Sequence, residues 1–303
     1  MHMKQVFALL LCAAMLSSLT ACGSASAPAD ATTTATIPTA TPTDAPDSTT
    51  VPVTDPEWIR LVDNEEAAFF ITGFNHTQHA GMEIQVQCIN KSGKALMFSW
   101  DMVSVCDYMY DPMWAVEVAA GKTAIDTVEL DTHALEQMGI ESVDAVTFTL
   151  RIYDSEDWMA PHIVQEAFTI SPTGLNPETL DFPPRAETDG QVVIADNADI
   201  RFVIEGAEDA ASYTLNVYME NKTDKNLMYT WDNVSVNGFM VDPFWAMSVV
   251  AGKRACAEIT FARADLERSG IETVSQIEFT LQVSDYDDWS SGYLLNETYT
   301  YRP

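Results

Sequence analysis

The chain contains one sequence pattern twice, and this repeat constrains the fold more than any other feature. Residues 90–158 align without a gap with residues 221–289 at a constant offset of 131, and 32 of the 69 paired positions are identical. Three motifs recur: Trp-Asp-x-Val-Ser-Val, Met-x-Asp-Pro-x-Trp-Ala and Leu-Glu-x-x-Gly-Ile-Glu. An internal repeat in such strict register predicts one structural unit present in two copies.

Each copy is predicted to consist of short β-strands. Stretches rich in β-branched and aromatic residues predict seven strands in the first copy: 67–73, 82–90, 96–105, 114–119, 124–130, 143–153 and 163–170. One helical turn is predicted at 132–138 and again at 264–269, each followed by a glycine that ends it. Seven strands in roughly 115 residues are typical of a sandwich. We therefore predict an all-β chain of two tandem immunoglobulin-like antiparallel β-sandwiches, each with one short helical turn.

Short polar segments connect the predicted strands. The segment 90–94 and its copy 221–225 are interpreted as hairpin loops, as are the turns at 120–122 and 251–253. Residues 74–81 are interpreted as a loop that is two residues longer than its counterpart in the second copy. Because loops vary while the frame is kept, this loop is a place where the two copies would differ in binding.

The repeated motifs resemble an immunoglobulin-like module of surface lipoproteins in Gram-positive gut bacteria of the Firmicutes type, a family without an assigned activity. The resemblance covers both copies. It implies a β-sandwich outside the cell and gives no residue a role. The chain lacks the paired cysteines of antibody domains, so the resemblance does not imply recognition of the antibody type.

The N-terminal region predicts the location of the protein. A short apolar run at 6–19 precedes Leu19-Thr20-Ala21-Cys22, which is the pattern of a bacterial lipoprotein signal. Cys22 is thus the predicted lipid attachment site, and the protein is expected on the extracellular face of the cell membrane, held by that lipid alone. The predicted segments are a signal peptide at 1–21, a disordered Thr/Pro/Ala-rich tether at 22–56, module 1 at 57–171, a Pro-rich linker at 172–190 and module 2 at 191–303.

Charge and cysteine usage narrow the choice of partners. The formal net charge is −30, which argues against nucleic acid as a partner. The acidic surface favours solubility, or alternatively attraction to cations or a basic partner. Cys88, Cys106 and Cys256 are not repeated between the copies, so the common fold needs no disulfide. Buried free thiols are favoured, and a bridge between Cys88 and Cys106 is left open.

Two acidic turns are the candidates for a metal site because both copies have one. Calcium binds six to eight oxygens from clustered carboxylates and carbonyls. The alternative is an exposed turn whose aspartates accept backbone hydrogen bonds. The candidate ligands are Asp154, Glu156 and Asp157 in the first copy, Asp285, Asp287 and Asp288 in the second, and Asp111 or Asp242 from the Asp-Pro turns.

The tryptophans fall into two groups. Trp100 and Trp231 lie in alternating strands and are predicted to be core residues. The others follow the Asp-Pro turns or the acidic turns, where an exposed ring beside carboxylates suits a sugar; packing in the fold is the alternative. This second group is Trp114, Trp158, Trp245 and Trp289.

These features favour a non-catalytic surface protein whose two modules bind an extracellular glycan or protein. A structural spacer or accessory subunit of an envelope complex is the alternative. An enzyme is disfavoured because no histidine-based site occurs in both copies. Within the enzyme class, Asp101 with Asp154 is the carboxylate pair that glycoside hydrolysis would use.

Overall fold

A computed structural model describes residues 58–77 and 81–303, and these form one compact unit. The predicted signal peptide, Cys22 and the tether lie outside the described residues. The first half of the structure runs through β1 Ile59–Asp63, β2 Ala67–Thr77, β3 Gly81–Asn90, β4 Leu96–Val105, β5 Tyr108–Met109, β6 Ala115–Val118, β7 Thr123–Leu130, α1 Thr132–Gln137, β8 Val146–Asp154 and β9 Val164–Ile170.

The second half repeats these elements in the same order. A short 3₁₀ turn at Pro177–Thr179 precedes it. The second half runs through β10 Val192–Asp196, β11 Ile200–Asp209, β12 Tyr213–Asn221, β13 Leu227–Val236, β14 Phe239–Met240, β15 Ala246–Val249, β16 Arg254–Phe261, α2 Arg263–Arg268, β17 Ile277–Asp285 and β18 Tyr293–Tyr301. The prediction of an all-β fold with one short helix in each half is confirmed.

Each half is a two-layer sandwich of antiparallel strands. In the first half, β1, β2, β3 and β7 pair in that order, and they face a sheet in which β4 pairs with β5, β6 and β8, and β8 with β9. The second half uses the equivalent strands in the same pairing. Alternate residues of β3, such as Ile84 and Val86, are fully buried and pack with Leu96 and Phe98 of the opposite sheet. Burial of this alternating apolar face holds the layers together.

The connections at 90–94 and 221–225 are not hairpin loops, contrary to the prediction. Strands β3 and β4 lie in opposite sheets, as do β6 and β7 on either side of 120–122. The polar loops therefore carry the chain from one layer to the other. A short polar segment between two strand patterns looks the same in both cases, because the pairing partner of each strand is distant in sequence.

A buried asparagine ties these crossings together in each half. The Asn90 side-chain amide donates to the carbonyls of Lys94 and Val118, both at 2.7 Å, while its oxygen accepts from Ser92 N–H at 2.9 Å. Asn221 makes the equivalent bonds to Lys225 and Val249 at 2.7 and 2.9 Å. In the first half, the amide thus joins the start of β4, after the crossing at 90–94, to the end of β6, before the crossing at 120–122. The Asn221 amide joins β13 to β15 in the same way.

Two strands were missed and one is longer than predicted. β2 continues to Thr77 and remains paired with β3 through His76 and Met82, so much of the predicted loop at 74–81 is strand. β1 was missed because its alternation is interrupted by a bulge between Arg60 and Val62. β5 is a two-residue strand and is too short for a periodic signal.

The helices begin and end differently from each other. The Asp131 side chain accepts from the N–H of Ala134 and caps α1, whereas Ala262, in the equivalent position before α2, offers no side-chain acceptor. Gly139 and Gly270 follow the helices with φ of 74° and 70°, as predicted for a left-handed stop. In both halves the helix connects a strand of one layer to a strand of the other.

The two halves share one sheet, a feature the sequence left open. β5 of the first half pairs in parallel with β16 of the second, so the strand order runs β10-β11-β12-β16-β5-β4-β8-β9. The Arg254 N–H donates to the Asp107 carbonyl at 2.9 Å. The Lys253 ammonium contacts the Asp107 carboxylate. Tyr108 and Tyr218 are buried beside this seam with ring centroids 6.4 Å apart.

The linker also contacts both halves. The Arg185 guanidinium donates to the carbonyl of Gln137, at the end of α1, and to the Glu205 carboxylate on β11, at 3.1 and 3.3 Å. Burial, followed by the negative charge of Asp101 in the first half, raises the pKa of Tyr286 in the second. The connection between the halves therefore combines a backbone ladder, ion pairs and apolar contact.

Replacing Asn221 by Ala is expected to lower the free energy of unfolding by about 2–4 kcal/mol, because two buried carbonyls lose their donor. Chemical denaturation measures the change. Asn296→Ala, at an exposed strand position, is the control and should alter stability by less than about 0.5 kcal/mol. Equal effects of the two substitutions would contradict the role assigned to the buried amide.

Candidate functional site

The two acidic turns, residues 154–158 and 285–289, are built on one aspartate each. The Asp154 carboxylate accepts the N–H of Glu156 at 3.0 Å and pairs with the Lys94 ammonium at 3.1 Å. The Asp285 carboxylate accepts the N–H groups of the second and third residues after it at 3.0 and 3.1 Å, and pairs with Lys225 at 2.8 Å. These carboxylates hold the turn backbone, as the alternative interpretation expected.

The pKa values in the turns follow from these contacts. The hydrogen bond from Lys225 is the largest cause that lowers the pKa of Asp285. For Asp154, the backbone N–H of Glu156 contributes most, followed by Lys94. Asp288 also has a lowered pKa, because the side chain and N–H of Ser290 donate to it. Three carboxylates of the turns are thereby stabilised in their charged form.

The predicted calcium ligands of the two Asp-Pro turns also accept backbone N–H groups. Asp111 and Asp242 accept the N–H of Met113 and Phe244, both at 2.8 Å, and so hold the Asp-Pro turns. Each Asp-Pro turn includes a residue with positive φ, which is 49° at Met113 and 51° at Phe244. Across residues 58–77 and 81–303, no group of three or more His, Cys, Asp or Glu side chains is placed to hold a metal ion.

The structure separates the four candidate ligand-face tryptophans. Trp158 is 68% exposed and Trp289 61% exposed, and each ends an acidic turn. Trp245 is half-buried and packs against the core of the second half. Trp114 is not on a ligand face: it is buried, and its indole N–H donates to the Asp126 carboxylate at 3.2 Å.

Trp100 and Trp231 lie in the two cores. Each stacks on a phenylalanine of the neighbouring strand, Phe148 or Phe279, with ring centroids 3.7 Å apart. Trp114 meets Trp100 edge-on at 5.8 Å, which accounts for its burial. A tryptophan that follows a turn is therefore exposed only where no aromatic ring of the core lies opposite it.

The carboxylate pair considered for glycoside hydrolysis is not assembled. Asp101 pairs with Arg151 at 3.3 Å and lies opposite Thr149, whereas Asp154 lies opposite Leu96 at the end of the same ladder. Five strand positions separate them, which is about 17 Å. An odd number of positions also places them on opposite faces of the sheet. Catalytic pairs of this kind lie roughly 5–10 Å apart.

The three cysteines of the described residues are free thiols. Burial raises the pKa of Cys256 to about 11 and raises that of Cys88 as well. A thiol with so high a pKa is a poor nucleophile at neutral pH. The Cys88–Cys106 bridge that the sequence left open does not form.

The equivalent short strands β5 and β14 each form a hairpin with the strand before them. The sequence analysis missed both hairpins. Tyr108 and Met109 of β5 are each 6% exposed, because they pack against the second half. Phe239 and Met240 of β14 are 53% and 70% exposed. Both hairpins carry an aromatic residue followed by methionine, so their sequences alone cannot show that only one is covered.

Comparisons with known proteins do not place the chain in a family. No protein-family model matches it, and no curated protein matches it significantly. The exo-chitosanase CsxA of Amycolatopsis orientalis superposes with a TM-score of 0.23 and 13% identity, covering 79% of this chain and 27% of that one. Red sea bream transglutaminase superposes with a TM-score of 0.22 and 8% identity, covering 80% and 31%. Superpositions this weak indicate neither a common fold nor a common function. The chain spans less than a third of either protein.

The described residues include no helix with the length and apolarity needed to cross a bilayer.

Replacing Lys225 by Met is expected to raise the pKa of Asp285, because that carboxylate loses its strongest partner. The unfolded-state pKa is about 3.9, so the stabilisation from Asp285 is present above that value and is lost as pH falls through the lower folded-state pKa. Carboxyl NMR titration measures the shift. Lys94→Met is the matched control, and it should move the Asp154 pKa less because the Glu156 N–H, and not the lysine, is the largest cause there. An equal or larger shift in the control would contradict this ranking of causes.

Proposed function

We propose that the protein is a non-catalytic cell-surface lipoprotein of the immunoglobulin-like type that its motifs resemble. Its two modules, at 57–171 and 191–303, bind an extracellular ligand, and a glycan fits the exposed chemistry best. The observation that carries the proposal is the exposed tryptophan at the same turn of each half, Trp158 and Trp289.

The chemistry of these turns suits a sugar. An exposed indole offers a flat apolar surface for the ring of a pyranose, and nearby carboxylates accept hydrogen bonds from its hydroxyls. Asp154 and Asp285 are occupied in holding the backbone. Asp157 and Asp288 are exposed next to the indoles, although Asp288 accepts from Ser290 through its Oδ1. The fixed backbone limits the entropy that each turn loses on binding.

Replacing Trp158 and Trp289 by Ala is expected to lower affinity for bound glycans about tenfold for each site, corresponding to about 1.4 kcal/mol per site. Binding to a glycan array and to isolated cell-wall polysaccharide measures the loss. Tyr293→Ala, which removes an exposed aromatic outside the turns, is the matched control. The absence of glycan binding by the unaltered protein would reject the glycan assignment.

The cell-surface location rests on the signal pattern that ends at Cys22, together with the acidic composition. Cys22→Ser is expected to move the protein from the membrane fraction to the medium, because a lipid is its proposed anchor. Cell fractionation with mass spectrometry of the N-terminal peptide measures this. An altered chain that stays in the membrane fraction would contradict lipid anchoring.

A structural spacer or accessory subunit is the second candidate, and the shared sheet is the observation that favours it. A strand order that continues from one half to the other through the β5–β16 pair suits a stiff element between the membrane and a partner. Such a role depends on length and not on the indoles. The double tryptophan variant would then keep full function in cells, whereas deletion of a module would not.

A further inference from the structure

We propose that the β14 hairpin of one chain binds the β7 edge of a second copy of this chain, repeating the contact that joins the two halves within each chain. The observation behind this inference is that the chain contains two hairpins and two sheet edges of the same kind. One hairpin and one edge are joined to each other. The other hairpin and the other edge have no such partner among the described residues.

The contact within the chain defines the geometry. β5 pairs with β4 through Tyr108 and Met109, and the outer side of β5 lies along β16. Met109 belongs to the core of the second half, and Tyr108 packs with Tyr218. The hairpin thus inserts apolar side chains while its backbone extends the sheet of the second half.

The free hairpin has the same form. Phe239 and Met240 pair with β13 in the register that Tyr108 and Met109 use on β4. Its turn, Asn237-Gly238, has φ of 51° and 85°, as the favoured two-residue hairpin turn requires. The hairpin is preformed, and its two apolar side chains are exposed.

The free edge has an apolar surface. β7 is the last strand of its sheet, in the position that β16 occupies in the second half. Ile125 of β7 corresponds to Cys256 of β16 and is 77% exposed. Phe70 of β2 corresponds to Val203 of β11, because the two residues pair with equivalent positions of β3 and β12. Phe70 is only half-buried, and the exposed ring of Trp58 lies 6.0 Å from its ring. An open edge beside exposed apolar groups favours strand addition.

The contact between chains lacks the ion pairs of the contact within the chain. Gly238 takes the place of Asp107, and Lys122 takes the place of Lys253. Gly238 therefore offers a carbonyl to the strand pairing but no carboxylate to Lys122. The association is therefore weaker than the internal contact. The net charge of −30 makes the chains repel one another, and added salt screens this repulsion.

The two surfaces differ, so the contact is heterologous: each chain offers a hairpin at one place and an edge at another. Such a contact continues from chain to chain and does not stop at a dimer. This geometry predicts a series of species whose mean mass rises with concentration and with salt.

Sedimentation velocity on the mature chain carrying Cys22→Ser, over a range of concentrations at low and high salt, tests the proposal. Phe239→Ser with Met240→Ser removes the hairpin surface, and Ile125→Asp removes the edge; each variant alone is expected to stay monomeric. Mixing the two variants leaves one intact hairpin and one intact edge, so the expected product is a one-to-one dimer and nothing larger. Trp289→Ser, which alters an exposed aromatic outside both surfaces, should associate like the unaltered chain.

Three outcomes would overturn the proposal. These are a single monomeric species at every concentration and salt, association that survives the hairpin substitutions, and a mixture of the variants that stays monomeric. Phe239, Met240, Ile125 and Trp289 are exposed, and an unchanged unfolding midpoint shows that each variant is folded. The test is independent of glycan binding, because the tryptophans of the acidic turns are not part of either surface.

Discussion

The buried amide of Asn90, repeated at Asn221, is the interaction on which each sandwich depends. One donor group bonds the carbonyls at two crossings between the layers. Because unpaired buried carbonyls are costly, both crossings must adopt one geometry together. That geometry sets which faces of β3 and β4 oppose each other. The ring contacts that cross between the layers, Phe69 with Phe98 and Phe202 with Tyr229, depend on this placement.

Most strands could be predicted from the sequence, because local alternation encodes them. β4 occupies the predicted positions to the residue, and both helices lie within two residues of theirs. Which strands pair could not be predicted, since pairing joins residues far apart in sequence; the loop at 90–94 was therefore assigned to a hairpin. β5 could not be predicted either, because its two residues acquire their role only by contact with the other half.

The candidate site was predicted by composition and corrected by geometry. An acidic turn after a long strand could be predicted from the sequence. Which side chains of the turn bond the backbone and which face solvent could not. Asp154 and Asp285 face back to their own backbone and a lysine, while the neighbouring tryptophans face solvent. Trp114 and Trp158 both follow a turn, yet only Trp158 is exposed, because the core offers Trp114 an aromatic partner. Exposure of a large ring depends on what lies opposite it in space.

The shared sheet has a consequence for multivalent binding. Because β5 pairs with β16 and Arg185 of the linker bonds both halves, the spacing and direction of Trp158 and Trp289 depend on the fold and not on linker length alone. Under the proposed function, a ligand with repeating units whose period matches that spacing would bind the second indole at a high effective concentration. A ligand with another period gains nothing from the second turn. Under the proposed function, the duplication would therefore select ligands by the length of their repeat.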